Sequence, residues 1–279
     1  TLIKTLLIRM HQVIHQDEED IYILDFSNNL EMYKSLPFIK AYFDAFNEEN
    51  MRRIFRIIDD KLQLNIKELP GKNFTQRTSD SKAKHVTFIL DGVHVLFSED
   101  RYIKYQEDLL KFARDGLSKG ISVVITANEP NGGVKKLLSS FAHIIAFDLN
   151  TEKVNKPMIL KGRGIASQEG KCYEFQAFLP YNSDIPENSE EKNIEMIICS
   201  LQKDYHLDVS SLQELQLKSL SGNLDSHSWA TYTQEPIKIK NYLVAGLDYY
   251  TCEPAKINLL NAKTIAIYGK KQFGKTNLL

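Results

Sequence analysis

A short glycine-rich segment near the carboxyl end constrains the fold of this chain more than any other feature. Residues 269–276 read Gly-Lys-Lys-Gln-Phe-Gly-Lys-Thr and fit the phosphate-loop pattern Gly-x-x-x-x-Gly-Lys-Thr. The apolar run at 264–268 precedes the loop and predicts the buried strand that such a loop follows. The predicted nucleotide-binding residues are therefore Gly269, Lys270, Lys271, Gln272, Phe273, Gly274, Lys275 and Thr276.

Each residue type in this loop has a chemical purpose. Gly269 and Gly274 let the backbone turn so that its N–H groups face an anionic phosphate. The ammonium group of Lys275 can reach the terminal phosphates, and the Thr276 hydroxyl can ligate magnesium. We therefore expect ATP and Mg²⁺ as cofactors, with a plain glycine- and lysine-rich surface turn as the alternative.

Predicted strands alternate with predicted helices along the first half of the chain. A helical spacing of apolar residues alternates with continuous apolar runs, and this alternation predicts a parallel sheet covered on both faces. The expected fold class is α/β, a mostly parallel sheet flanked by helices as in phosphate-loop NTPases. The predicted strands are 21–26, 85–91, 121–126 and 142–147, and the main predicted helices are 1–16, 47–64 and 101–119.

The second half is predicted to hold shorter elements. Residues 156–160 and 172–178 are predicted to form hairpin strands joined by the glycine-rich loop 161–164. A helix is predicted from about 191 to 204. Three short predicted strands then lead into the phosphate loop, at 242–247, 255–260 and 264–268.

Asp91 is the candidate for the second part of a phosphate-loop site. An apolar strand that ends in aspartate can hold the water shell of magnesium, so Asp91 is a predicted catalytic residue and, through magnesium, a metal-site residue. A strand-end acid that caps the next helix is the alternative. Gly92 stands where an active ring-forming ATPase has a second acid, so we expect hydrolysis here to be weak or absent. Thr126-Ala-Asn128, at the end of the next strand, could place a polar side chain against a γ-phosphate, and Asn128 is the candidate sensor. Threonine and asparagine also simply end strands, which is the alternative.

The order of the two motifs is unusual. The phosphate loop ordinarily precedes the acidic strand, whereas here it follows it, so Asp91 and Lys275 are expected to belong to two copies of the fold. We predict an ATPase-like domain at 1–185 without its own phosphate loop, a connector at 186–235, and the first strands and loop of a second domain at 236–279. A segment from inside a longer tandem protein would account for this order.

Composition narrows the class of protein. The chain has 279 residues, 43% hydrophobic and 25% charged, enough for one large domain and part of another. Its net charge of −1 gives no bulk attraction to nucleic acid. No apolar stretch approaches the roughly 20 residues that span a bilayer. Cys172, Cys199 and Cys252 lack metal-ligand spacing and are expected to be reduced core residues.

Several stretches resemble the FtsK/SpoIIIE-type ATPase domains, and specifically the tandem cytoplasmic ATPase domains of the type VII secretion ATPases called EssC or EccC. The most specific match is Gly-Arg-Gly at 162–164, followed by Glu-Phe-Gln and Leu-Pro within 174–180. The resemblance covers most of the chain outside about 185–235. Further matching stretches lie at 22–26, 50–55, 88–91, 124–130, 244–248 and 266–279.

This resemblance implies a RecA/FtsK-like fold and a membrane-associated motor on the cytoplasmic face of the bacterial membrane. It also implies a homo-oligomeric ring, such as a hexamer, that exports WXG-type substrate proteins with other secretion components. Arg163 would be an arginine finger in such a ring, with an ion pair to Glu174 or exposure to solvent as the alternative. A DNA translocase of the same family, with DNA as its substrate, is an alternative because fold does not fix substrate. A non-hydrolysing substrate-docking module is the other alternative, favoured by Gly92.

Overall fold

A computed structural model describes most of the chain in two compact units, Thr1–Gln216 and Leu217–Leu279, which are treated separately below. Among the described residues no helix is long and apolar enough to cross a membrane. The described residues are 2–10, 19–128, 132–147, 162–168, 170–181, 190–204, 229–230, 232–233, 236, 238–249, 252–260 and 264–268.

The first unit is built on a parallel sheet, as the alternation of strands and helices predicts. Its four strands are β1 (Glu19–Asp25), β2 (Ile39–Asp44), β3 (His85–Asp91) and β4 (Ile121–Ile125), in the order β2-β1-β3-β4, and every neighbouring pair is parallel. The α-helices are α1 (Leu2–Met10), α2 (Glu48–Glu68), α3 (Ile103–Asp115), α4 (Gly132–Leu138) and α5 (Glu190–Asp204). Short 3-10 helices lie at Glu31–Ser35, Phe74–Gln76, Asp100–Tyr102 and Leu117–Lys119.

Side chains alternate between the two faces of this sheet and build a core on each. Ile23 of β1 and Ile89 of β3 belong to one buried cluster, together with Leu7 of α1 and Ile198 of α5. On the other face Phe88 meets Phe55 of α2 at 5.7 Å and Phe112 of α3 at 6.4 Å between ring centroids. Both faces of β1 and β3 are therefore dry, as expected for continuous apolar strands in a parallel sheet.

A separate antiparallel sheet follows and corrects one prediction. It consists of β5 (His143–Phe147), β6 (Arg163–Gln168) and β7 (Lys171–Gln176), in that order. The predicted loop at 161–164 is wrong in its second half, because Arg163 and Gly164 already lie in β6. Gly164 is needed inside the sheet, since a Cβ there would lie 2.8 Å from the Ala146 carbonyl oxygen and 2.9 Å from Phe175. The predicted strand at 156–160 lies outside the described residues.

The second unit contains β8 (Tyr242–Leu247) and β9 (Pro254–Asn258), which pair antiparallel. The strand predicted at 264–268 is wrong: these residues have no regular secondary structure and are exposed. An apolar run becomes a buried strand only when neighbours pair with it, and no described strand pairs with this one. The phosphate loop at 269–276 lies outside the described residues.

The cysteines only partly follow the expectation of core residues. Cys252 is buried, but Cys172 and Cys199 are exposed. Cys172 lies on β7, most of whose side chains face solvent. Cys199 lies in α5, which buries its other face, carrying Ile194, Ile198 and Leu201.

A contact between Glu19 and His85 joins the amino ends of β1 and β3, and it is an ion pair only when His85 is protonated. Glu19 and His85 are opposite each other in the strand register, and His85 Nδ1 lies 2.9 Å from Glu19 Oε1. The Thr87 hydroxyl donates to the same carboxylate oxygen over 2.6 Å. Burial acts to raise the pKa of Glu19, but the hydrogen bonds from His85 and Thr87, and the positive charge of His85 when its ring is protonated, outweigh it. The pKa of Glu19 is therefore below its ordinary value.

This lowered pKa predicts an acid-dependent loss of stability. Folded Glu19 binds a proton less readily than unfolded Glu19, so its contribution is complete above the unfolded pKa of about 4.3 and disappears as the pH falls through the folded pKa. We expect the free energy of unfolding to fall more steeply in that window for the wild type than for Glu19→Gln. Urea unfolding at a series of pH values measures this pH dependence of the free energy of unfolding for both proteins. Thr87→Val should give an intermediate slope, and parallel curves for wild type and Glu19→Gln would contradict the prediction.

Candidate functional site

The carboxyl edge of the parallel sheet gathers polar side chains from three neighbouring strands. Asp25 ends β1, Asp91 ends β3 and lies opposite Asp25 in the register, and Thr126 directly follows β4. Asp25 is fully buried, and Asp91 is only 7% exposed. Carboxyl ends of parallel strands are where α/β proteins bind ligands, so this edge is the candidate site.

Neutral hydroxyl groups hold the Asp91 carboxylate in place. The Thr126 hydroxyl donates to Asp91 Oδ1 over 2.5 Å, and the Ser27 hydroxyl donates to Asp91 Oδ2. Thr126 Oγ1 in turn accepts a hydrogen bond from the Gly92 N–H over 2.9 Å. The backbone is fixed as well, because the Phe26 N–H donates to the Asp91 carbonyl over 2.9 Å. Asp91 therefore has a fixed orientation at the edge of the sheet.

Asp25 has further partners of its own and a structural purpose. The Ser27 hydroxyl, which donates to Asp91, also lies 3.2 Å from Asp25 Oδ1 and so contacts both carboxylates. Its carboxylate accepts hydrogen bonds from the backbone N–H groups of Ser27 at 2.9 Å and Leu30 at 2.8 Å. The Tyr42 hydroxyl donates to it over 3.1 Å. Burial, and then the nearby Asp25 charge, raises the pKa of Tyr42 above its ordinary value, so the phenol stays a donor. Asp25 thus organises the turn that carries Ser27 toward Asp91.

The residues at this edge suit a magnesium ion. Every donor to Asp25 and Asp91 from the described residues is neutral, so the two buried carboxylates have no cationic partner there. Magnesium prefers oxygen ligands and keeps several waters. Asp91 is the less buried of the two carboxylates, and it and the partly exposed Thr126 both present oxygen atoms. The donor set therefore fits the role expected of Asp91.

Gly92 has a conformation that other residues adopt only with strain. Its φ is +81°, and a Cβ built there would lie 3.2 Å from the Cβ of Phe26 and 3.8 Å from Cε1 of His94. The residue is also buried. A second acid at this position would have to adopt a left-handed backbone, and Phe26 would have to shift by a few tenths of an ångström, so the local structure disfavours it.

No hydrogen bond or ion pair joins Asp91 to Asn128 or Arg163 in the described part of the chain. Asn128 is exposed and has no hydrogen bond to another described residue. Arg163 is exposed on β6, and it forms no ion pair with Glu174 among the described residues, since Glu174 lies opposite Ile165. Lys275 and the rest of the phosphate loop lie outside the described residues. The roles of these residues stay predictions.

The sequence analysis pointed to residues 126–128 as a source of a polar side chain for the site, but it did not single out Asp25 or Ser27. A signal for Asp25 and Asp91 was present, because each ends an apolar strand. The Ser27 hydroxyl reaches Asp91 only because the turn after β1 folds back on the Asp25 carboxylate. That turn depends on the hydrogen bonds from the backbone N–H groups of Ser27 and Leu30 to the Asp25 carboxylate, which the sequence pattern does not predict.

No protein-family model matches the chain. Among curated proteins, the chain is 21% identical over 295 residues to the ESX secretion system protein EccC of Geobacillus thermodenitrificans. It is 25% identical over 293 residues to the ESX secretion system protein YukB of Bacillus subtilis. These matches cover 100% and 99% of this chain but 19% of each relative, so the chain spans about a fifth of their length.

Solved structures agree with these relatives. EssC (ATPases 2 and 3) from Geobacillus thermodenitrificans matches with a TM-score of 0.70 and 19% identity, over 92% of this chain and 51% of that one. Thermomonospora curvata EccC (ATPases 2 and 3), solved in complex with a signal sequence peptide, matches with a TM-score of 0.60 and 17% identity, over 92% of this chain and 48% of that one. The predicted α/β fold is confirmed.

Proposed function

We propose, from the confirmed similarity of this chain to type VII secretion ATPases, that it is an ATP-binding segment of a tandem-domain motor of that secretion system. The observation that carries the proposal is Asp91, fixed at the carboxyl edge of a parallel sheet whose fold matches secretion ATPase domains. In the longer protein the segment would couple nucleotide binding to the export of WXG-type substrates. The homo-oligomeric ring and the anchorage to the cytoplasmic face of the membrane are parts of the same proposal.

We propose a separate set of nucleotide contacts in each of the two domains. In the second domain, Lys275 and Thr276 would hold the terminal phosphates and magnesium, as the phosphate-loop pattern requires. In the first domain, Asp91 would face the magnesium water shell, and the hydroxyl groups of Thr126 and Ser27 would keep its carboxylate oriented. Magnesium, when bound, neutralises charge on the phosphate oxygens. Asn128 and Arg163 are proposed as the sensor and as a contact to a neighbouring subunit.

The backbone at Gly92 favours a binding role over turnover in the first domain. Without a second acid next to Asp91, no side chain at that position can polarise an attacking water. The first domain is therefore proposed to bind nucleotide without rapid hydrolysis and to serve as a docking module. The signal sequence peptide bound by the Thermomonospora curvata protein makes a segment of a secreted substrate the natural candidate for docking.

A DNA translocase is the second candidate and is less well supported. A net charge of −1 offers no bulk attraction to a phosphate backbone. The two curated relatives named above are secretion system proteins, and their alignments cover nearly the whole of this chain. A translocase would bind duplex DNA with an affinity that falls steeply with salt, and gel-shift titration at two salt concentrations would reveal it.

Calorimetric titration of MgATP with the full-length protein tests the proposal. We expect Lys275→Ala to weaken binding by at least tenfold, because the lysine contact to the terminal phosphates is lost. Loss of heat with Lys275→Ala alone would place the nucleotide in the second domain and leave the first as a docking module. Loss with Asp91→Ala as well would mean that each domain holds nucleotide.

A control separates binding from folding in this titration. Asp44→Ala removes an acid at the same level of the neighbouring strand β2, where Asp44 lies opposite Asp25. It should leave the heat of MgATP binding unchanged. Wild-type protein that binds no MgATP at millimolar concentration would overturn the proposal.

A further inference from the structure

A second cluster of polar side chains lies at the opposite edge of the parallel sheet, at the amino ends of the strands. It comprises Glu19 of β1, His85 and Thr87 of β3, and Ser122 of β4. Glu19 and His85 are six residues before Asp25 and Asp91 in the same register, which is roughly 20 Å away along the strands. The cluster is therefore distinct from the candidate nucleotide edge, and the inference below does not depend on the proposed function.

Ser122, His85 and Glu19 form a continuous hydrogen-bonded relay. Ser122 Oγ lies 2.9 Å from His85 Nε2, and His85 Nδ1 lies 2.9 Å from Glu19 Oε1. The Thr87 hydroxyl donates to Glu19 Oε1 over 2.6 Å and fixes the carboxylate. A hydroxyl, a base and an acid in this order satisfy the geometric test for an activated nucleophile.

The charge on Glu19 sets the direction of the relay. Glu19 stays ionised at neutral pH and accepts the Nδ1–H of His85, so the neutral imidazole keeps its lone pair on Nε2. That lone pair faces the Ser122 hydroxyl and can take its proton. The acid therefore selects the tautomer in which His85 is a base toward Ser122.

The surroundings leave the relay open on one side. The side chain of His85 is 29% exposed and that of Glu19 is 16% exposed, and Ser122 is partly exposed. The Phe74 ring lies 5.7 Å from the imidazole and provides an apolar wall. A small electrophile can therefore approach Ser122 from solvent.

The backbone after Ser122 supplies a donor for a developing oxyanion. The Thr126 N–H donates to the Leu90 carbonyl, so by the alternation of a parallel ladder the N–H groups of Ser122 and Val124 also face β3. The Val123 N–H then points to the other edge of β4, where no described strand pairs. The N–H of the residue that follows a nucleophile is a usual oxyanion donor.

We propose that Ser122 is a nucleophile, with His85 as its general base and Glu19 as a positioning residue, and that it takes acyl groups from small activated esters. Ser122 Oγ forms a bond to the carbonyl carbon while its proton passes to His85 Nε2. The ester C–O bond breaks and the alcohol or phenol leaves with that proton. When a phenol leaves as its anion, His85 gives the proton to solvent before the next step. Water then attacks the acyl-serine carbonyl while His85 Nε2 takes one of its protons. The bond between the acyl carbon and Ser122 Oγ breaks, the proton returns from Nε2 to Oγ, and the carboxylic acid is released.

Two probes test this proposal on the 279-residue chain as it stands. A fluorophosphonate should label Ser122, forming a P–O bond with loss of fluoride, and peptide mass spectrometry should locate the adduct. Hydrolysis of p-nitrophenyl acetate should exceed the background rate, and Ser122→Ala should abolish both signals. His85→Ala should lower the rate by about 100-fold or more, and added imidazole should restore part of it.

Controls distinguish reactivity from a purely structural tie between strands. Ser139→Ala removes an exposed serine whose hydroxyl bonds only to a helix carbonyl, and labelling should be unchanged. Glu19→Gln should lower the turnover number more than it changes KM, and Glu19→Asp should recover part of the loss. Circular dichroism of each variant checks that it is folded. A folded wild type with no Ser122 adduct, or an adduct that persists in His85→Ala at the same rate, would overturn the proposal.

Discussion

Replacing Asp25 with alanine is expected to lower the free energy of unfolding by roughly 3 kcal/mol or more. The carboxylate is fully buried and accepts from two backbone N–H groups and the Tyr42 hydroxyl. Each donor left unsatisfied in a dry interior costs about 1–3 kcal/mol. Relief of the repulsion between Asp25 and Asp91 offsets only part of this loss, because the hydroxyl groups on Asp91 already stabilise its charge.

The matched control is Asp44→Ala at the end of the neighbouring strand. Asp44 lies opposite Asp25 but is half-buried, and its side chain accepts one backbone hydrogen bond, from Phe46 over 2.7 Å. Water can reach the Phe46 N–H in the variant, so a loss of about 1 kcal/mol or less is expected. Urea unfolding of both variants measures the difference. Equal losses would show that Asp25 does not organise the turn at the site.

Introducing the missing acid, Gly92→Glu, is expected to destabilise the protein by roughly 3 kcal/mol and not to create an ATPase. The left-handed backbone at Gly92 costs any other residue about 1–2 kcal/mol. The new Cβ would also meet Phe26, and a second charge would be buried beside Asp91. The turn must shift to relieve these contacts, which would also displace the Asp91 carboxylate.

Gly71→Glu is the control for this change. Gly71 has a similar φ of +68°, but nothing lies within 4 Å of the Cβ built there, and the residue is exposed. Gly71→Glu should lower the free energy of unfolding only by the cost of a left-handed backbone for a non-glycine residue, about 1 kcal/mol. Thermal unfolding and a phosphate-release assay on both variants give the comparison. If Gly92→Glu is as stable as Gly71→Glu and gains magnesium-dependent hydrolysis, the inferred constraint on this turn is wrong.

Sequence reasoning predicted the parallel sheet well because its strands are apolar along their whole length. The run 85–91 is buried on both faces and ends in Asp91. Its unbroken apolar residues followed by one acid were enough to predict both the strand and its polar end. The helix before it was less well bounded. Asn65 would be expected to end a helix, yet α2 continues to Glu68, because the Asn65 amide donates to the carbonyls of Lys84 and Lys119 at 2.8 Å each.

The relay at the other edge could not be predicted, because its members come from three different strands. Glu19, His85 and Ser122 are adjacent only once β1, β3 and β4 pair in one register. The prediction at 264–268 failed for the related reason that a strand depends on its neighbours as much as on its own residues. Periodicity identifies which segments can be strands, and pairing decides which side chains meet.

The edge of β4 that pairs with no described strand has a consequence for the behaviour of the protein in solution. Ile121–Ile125 reads Ile-Ser-Val-Val-Ile, without a charge or a proline, and within the described residues it pairs on one side only. Natural edge strands usually carry lysine, proline or a bulge that discourages self-association. Residues 121–125 contain no lysine or proline, so the solubility of the protein depends on another polypeptide segment covering this edge of β4. A chain in which that side stays bare is expected to be a seed for aggregation at high concentration.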